Sequence, residues 1–104
     1  MNIGKLVVKK EYFYITVPEE AKEFPYYVVS RGRKNSIILK FFDDVYLRKL
    51  KTWTFYEVRE QFVRIPTRLI KEMGIQAGAR YMINIKRRDE HMLKIELIFG
   101  PVRE

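Results

Sequence analysis

Recognition of a phosphate backbone needs cations held in a fixed relation to one another. One stretch of this chain supplies that relation: Arg64, Arg68 and Lys71 flank the pair Ile65-Pro66. Arg64 belongs to an extended segment that Pro66 ends, and Arg68 and Lys71 stand three apart in the apolar-periodic run that follows. Alternate positions of a strand share a face, and so do positions three apart on a helix. The three cations can therefore form one outward group beside a strand-to-helix turn, which suits a nucleic-acid backbone. Two further groups sit in loops: Arg31, Arg33 and Lys34 in RGRKNS, and Arg87 and Arg88 in RRDEH. These eight residues are the candidate DNA contacts.

Catalysis finds little support. His91 is the sole histidine and lies in a charged turn, and Asp43-Asp44 reads as a helix cap beside a solvated acid rather than as a metal pair. The absence of cysteine excludes disulfides, thiolate catalysis and Cys-ligated zinc. No phosphate-binding glycine loop, Rossmann glycine pattern or Cys/His cluster occurs. We expect no catalytic residue, no metal and no cofactor. The chain reads as a binding protein, not an enzyme.

The charge balance points the same way. Against 13 Asp and Glu there are 21 Lys and Arg, a formal +8 at pH 7. A field of that sign attracts nucleic acid, anionic membranes or acidic proteins. A charge-rich surface with two Gln, three Asn and no Cys is also what a heat-adapted, thermostable protein displays. No apolar run approaches the roughly 18 residues that cross a bilayer, and the first ten residues lack the pattern of a secretion signal. A cytoplasmic location without membrane insertion is the expectation.

The elements that must position these residues are mostly short strands. Segment 5–17 reads as extended, with Phe13, Ile15 and Val17 on one side, and Pro18 stops it. Glu19 and Glu20 open a short helical turn running toward Phe24, which Pro25 ends. Segments 26–30 and 37–42 read as strands joined by the loop 31–36. Asp43 or Asp44 caps a short helix whose buried side is supplied by Tyr46, Leu47 and Leu50. Alternation returns over 53–59 and again over 62–65 before Pro66. Residues 67–73 give about two helical turns with Leu69, Ile70 and Met73 as apolar positions and Gly74 as the stop. Segment 79–86 alternates with Tyr81, Ile83 and Ile85 on one face, and Leu93, Ile95, Leu97 and Phe99 form the apolar face of the last strand. Leu69, Met73, Ile83, Ile95 and Leu97 are expected in the core. The aromatic residues are mainly core as well; Trp53 and Tyr26-Tyr27 are the best candidates for a surface, with burial or a dimer contact preferred to stacking on bases.

The two halves echo one another. A strand ends in Val17-Pro18 or Ile65-Pro66, a short helix follows, and two strands then flank a basic loop. The chain is thus one compact domain, 1–104, with candidate internal units 5–43 and 54–101.

The most specific stretch is FVRIPTRLIKEMGIQAGARYMINI, residues 62–85. On Ile65-Pro66, Leu69, Met73-Gly74-Ile75, Gly78 and the alternating strand that follows, it resembles the swapped-hairpin DNA-binding proteins of the AbrB/MazE/SpoVT-like family. That resemblance covers about 57–99. The first half looks like a degenerate second copy. It implies a mainly β fold with short helices, a swapped-hairpin-like β-barrel built as a tandem pair of units. It further implies a homodimer, and double-stranded DNA bound by a basic surface near the strand-to-helix turn. Gln61-Phe62, Ile70 and Ala79 stand where family members commonly carry Gly-Arg, Arg and an acidic residue. Arg64, Arg68 and Lys71 are then the cations left to make the contacts.

Two classes of function follow. The first is a double-stranded DNA-binding protein, a transcriptional regulator or the antitoxin of a toxin-antitoxin pair, with a toxin or other protein as a further partner. The alternative is a non-catalytic protein-interaction or assembly module with a heat-adapted charged surface. Salt-sensitive duplex binding marks the first, and salt-resistant protein association without DNA binding marks the second. A single-stranded nucleic-acid binder is the third reading.

Overall fold

Alternating β-branched and aromatic residues form strands here because one side of each can be buried, and prolines and turns set where each stops. The computed structural model describes residues 3–50 and 54–100. The strands are β1 (Ile3–Lys5), β2 (Val7–Lys9), β3 (Tyr12–Thr16), β4 (Tyr26–Arg31), β5 (Ser36–Phe42), β6 (Tyr56–Glu57), β7 (Phe62–Ile65), β8 (Arg80–Arg88) and β9 (Met92–Phe99). Two short helices, α1 (Asp44–Leu47) and α2 (Thr67–Met73), and a 3-10 turn at Glu19–Ala21 complete the described elements. The architecture is mainly β, with the larger sheet curled into a half-barrel.

Six strands form one antiparallel sheet in the order β1-β8-β9-β5-β4-β6, and β2-β3-β7 form a second. In both, one pair joins the first part of the chain to the second. β3 runs against β7 with Ile15 opposite Val63, and β5 runs against β9 with Leu39 opposite Ile95. Outward from that centre the large sheet repeats itself. β9 and β5 each carry a hairpin partner, β8 and β4, and these carry the short edge strands β1 and β6. The core lies between the sheets: Ile15, Val63 and Ile65 from the small one pack in one cluster with Ile37, Leu39, Phe41, Leu93, Ile95 and Leu97 from the large one.

The extended run expected over 5–17 is broken. β2 and β3 form a hairpin turned by Lys10 and Glu11, both at positive φ (53° and 73°). Glu60 and Gln61 repeat that geometry (54° and 67°) between Arg59 and Phe62, which bridge each other. Two-residue hairpin turns need positive φ at both positions to match the twist of the strands, and they are usually marked by Asn or Gly. Neither turn carries one. The alternation expected over 53–59 contracts to β6, only Tyr56–Glu57, and Trp53 lies outside the described residues.

Core positions follow the alternation with two exceptions. Ile95 and Leu97 are fully buried, while Leu69, Met73 and Ile83 only pack partly against the cluster. Ile70 is the residue that anchors α2. Its helix is closed by Gly74 at φ 69°, whose N–H donates to the Ile70 and Lys71 carbonyls. Ile85 lies opposite the buried Ile95 yet is exposed, immediately before β8 shifts register toward Arg87. At the other end, Phe42 is fully buried on the face opposite Phe41. It meets the rings of Tyr26, Tyr46 and Phe55 at 5.8, 5.6 and 6.3 Å, a small aromatic cluster that α1 covers. Tyr46, Leu47 and Leu50 are therefore only half-buried. α1 is too short to bury a full side.

Asp43 caps α1 as its sequence position suggests: Tyr46 N–H donates to Asp43 Oδ1 (3.1 Å). Its other oxygen lies 2.7 Å from His91 Nδ1, and the Asp43 N–H donates to the His91 carbonyl (3.2 Å). This ties the end of β5 to the β8–β9 turn. Burial pushes the Asp43 carboxyl up, but the His91 side chain and the Tyr46 and Val45 amides together hold it below its ordinary value of 3.8.

Two outcomes follow. Ile95→Ala should cost about 2 to 5 kcal/mol in urea unfolding, whereas Ile85→Ala, at a site 44% exposed, should cost under about 1 kcal/mol. A carboxyl whose pKa is depressed by folding stabilises the folded state above its unfolded pKa, and that contribution is lost as pH falls through the folded value. Asp43→Asn keeps a cap acceptor but should remove that loss, so its urea midpoint should fall less than the wild type's between about pH 5 and pH 3.

Candidate nucleic-acid interface

Burial of Ile15, Val63 and Ile65 decides what the small sheet shows to solvent. The alternate positions Tyr12, Tyr14, Thr16, Phe62 and Arg64 must face outward. In register, Lys9 lies opposite Tyr12, Tyr14 opposite Arg64, and Arg59 opposite Phe62. The result is a surface of three cations interleaved with rings, bounded by the turn acids Glu11 and Glu60.

Arg64 is held on it from two directions. Its guanidinium carbon sits 3.7 Å from the centroid of the Tyr12 ring, a close cation–π stack. Its backbone N–H, on the outer edge of β7, donates to the Tyr27 hydroxyl (3.0 Å). Tyr27 is itself buried between the Phe41 and Tyr56 rings at 6.1 and 5.6 Å. Burial raises its phenol above the ordinary value, partly offset by the Arg64 amide. Tyr27 stays a neutral hydroxyl at neutral pH. Arg64 has no acid partner among the described residues, and its stacked guanidinium edge still faces solvent. Beside it, Tyr14 and Phe62 meet edge to face at 6.1 Å.

Arg68 and Lys71 follow on α2. With Ile70 turned inward, both are exposed, and Arg68 makes only a loose pair with Glu72 at 3.9 Å. They extend the cationic surface past Pro66.

The other two candidate groups lie apart from each other. β5 and β9 are antiparallel, with Ser36 opposite Ile98 and Phe42 opposite Met92, so the 32–35 and 89–91 turns sit at opposite ends of the large sheet. Arg31, Arg33 and Lys34 are exposed at one end. At the other, Arg87 pairs with Asp89 at 3.3 Å and Arg88 approaches Glu23 at 3.9 Å. Lys9 and Arg59 escaped the reading of the sequence. The signal that could have found them was a strand broken by two polar residues: each cation is the last residue before such a turn, opposite an aromatic residue just after it. Among the described residues no three His, Asp or Glu side chains gather as a metal-binding group.

If Tyr27 positions Arg64, then Tyr27→Phe leaves a half-buried amide without its acceptor. That should destabilise the fold by about 1 to 2 kcal/mol, measured by denaturant unfolding. An unchanged midpoint would show that the Arg64 amide finds water instead.

No protein-family model, curated protein or solved structure matches this chain.

Proposed function

We propose that the protein binds double-stranded DNA, docking through the small-sheet surface and the exposed side of α2. The observation that carries this reading is Arg64: a cation without an acid partner among the described residues, fixed by a stack on Tyr12 and by the Tyr27 hydroxyl. Surface arginines ordinarily lose rotamer freedom when they bind, and one already held flat loses less. Lys9, Arg59, Arg68 and Lys71 surround it with further phosphate donors. The Arg31, Arg33 and Lys34 loop is a secondary contact, about 13 Å along β4 from Tyr27.

The pairings β3–β7 and β5–β9, with a hairpin partner and an edge strand outward on each side of the large sheet, support a tandem pair of swapped-hairpin-like units. One chain would then supply both partners of the exchange. A homodimer would be a further association rather than a condition of folding. A transcriptional regulator or an antitoxin is the role this reading favours, each of which needs a small protein that docks on duplex DNA.

Replacing Arg64, Arg68 and Lys71 together by Ala tests the site. If each neutralises one phosphate, the slope of log affinity against log salt should flatten by about 2.7. Duplex affinity at moderate salt should fall at least about tenfold, while the thermal transition and subunit number stay as in the wild type. Undiminished affinity in the folded variant removes this surface from the reading. Failure of the wild type to bind any duplex at low salt would turn it toward the protein-interaction alternative.

A further inference from the structure

A second cationic feature lies on the outer face of the large sheet. Burial of Leu93, Ile95, Leu97, Leu39 and Phe41 turns Lys94 and Lys40 to the opposite side. Pairing then lines up three cations on adjacent strands: Arg87 directly opposite Lys94, and Lys94 directly opposite Lys40. Like charges directly opposed across strands repel and destabilise a sheet. Arg87 has Asp89 at 3.3 Å, and among the described residues Lys40 has only the Tyr46 hydroxyl at 3.4 Å and its ring at 5.6 Å. Lys94, half-buried in the middle of the row, has no carboxylate within ion-pair distance among the described residues. The nearby Glu96 is taken by Lys86 at 3.8 Å and Asn84 at 3.4 Å.

We propose that this row is a second docking surface for a DNA duplex, so that one molecule joins two duplexes. The inference rests on the duplex binding proposed above. The core lies between the two sheets, so the Arg64 surface and the Lys94 row look away from each other and cannot serve one straight duplex together. The row spans two strand spacings, about 10 Å. A duplex carries a charge every ~1.7 Å of its axis and presents several phosphates within that span. An acidic peptide is the poorer fit. Lys94 and Lys40 lie on strands hydrogen-bonded on both sides, which leaves no backbone edge for an extended partner to join.

The test uses a biotinylated duplex on beads, loaded with the full chain at low salt, and measures capture of a second, fluorescent duplex. The wild type should capture it. Lys94→Glu, which replaces repulsion in the row by two attractions and so favours folding, should reduce capture at least about fivefold while leaving affinity for a single duplex within about twofold. Lys22→Glu carries the same charge change outside both surfaces and should leave capture intact. The neutral change Arg87→Gln should weaken capture in the same direction. Wild type that binds one duplex but captures no second overturns the proposal and leaves the single-duplex reading standing, whereas wild type that binds no duplex removes both. Capture by Lys94→Glu equal to wild type, or an equal loss in Lys22→Glu, also overturns it. Polyglutamate displacing the second duplex more effectively than excess duplex would assign the row to acidic protein instead.

Discussion

The fold depends on two antiparallel crossings, Ile15 against Val63 and Leu39 against Ile95. Each joins a strand from the first part of the chain to one from the second. Without them β5 and β9 would each end a sheet of hairpin and edge strand, with a row of unpaired amides and carbonyls beside their most apolar faces. Pairing satisfies both needs at once. It also brings Ile37, Leu39 and Phe41 beside Leu93, Ile95 and Leu97 as one continuous inner surface, on which Ile15, Val63 and Ile65 close. These contacts are long-range in sequence, so closing the fold must overcome the entropy of bringing distant segments together before burial stabilises it.

Everything on the surface is a consequence of that inner alignment. Strand periodicity leaves no choice: when Val63 and Ile65 go in, Arg64 goes out, and when Leu93 and Ile95 go in, Lys94 goes out. The crossings then decide which outward residues become neighbours. Tyr14 faces Arg64 across β3–β7, and Lys40 faces Lys94 across β5–β9. A cation beside a ring is held in place, whereas a cation beside a cation is left under repulsion. The two outer faces therefore differ in kind: on one Arg64 is stacked on Tyr12, and on the other Lys94 stands opposite Lys40.

The sequence displayed the apolar side of each long strand and the breaks at Pro18, Pro25 and Pro66, because alternation and proline geometry are local. It also displayed Asp43 or Asp44 as a cap, of which the structure uses Asp43, and Gly74 as a stop. The turns at Lys10-Glu11 and Glu60-Gln61 were hidden, since a left-handed pair without Asn or Gly has no compositional mark and tertiary pairing carries the strain. Lys9, Tyr12 and Arg59 were hidden with them. Phe42 was ambiguous for another reason: Phe41 and Phe42 are both apolar, and only the placement of α1 and Phe55 shows that the sheet's outer face has a cluster of its own. Arg64, Arg68 and Lys71 could be read as outward-facing because strand and helix periodicity are local, and all three are exposed. That the 32–35 and 89–91 loops lie at opposite ends could not be read, because strand order is a property of the crossings rather than of any segment.

Charge is where the two parts of the chain diverge most. Pro18 and Pro66 occupy corresponding corners, each ending a strand of the small-sheet pair. After Pro18 the 3-10 turn carries Glu19 and Glu20, with Glu23 just beyond and Lys22 tied to Glu19 at 2.9 Å. After Pro66, α2 carries Arg68 and Lys71 with Glu72 alone against them. The backbone is similar, but the field is of opposite sign. An anion is repelled by the first corner and drawn to the second, so the segments that follow the two paired strands of the small sheet differ in their electrostatics. A shared core and dissimilar surface charges are compatible because they answer to different forces. Packing fixes which apolar residues meet, whereas exposed charges contribute little to folding and are free to differ wherever binding distinguishes one side from the other.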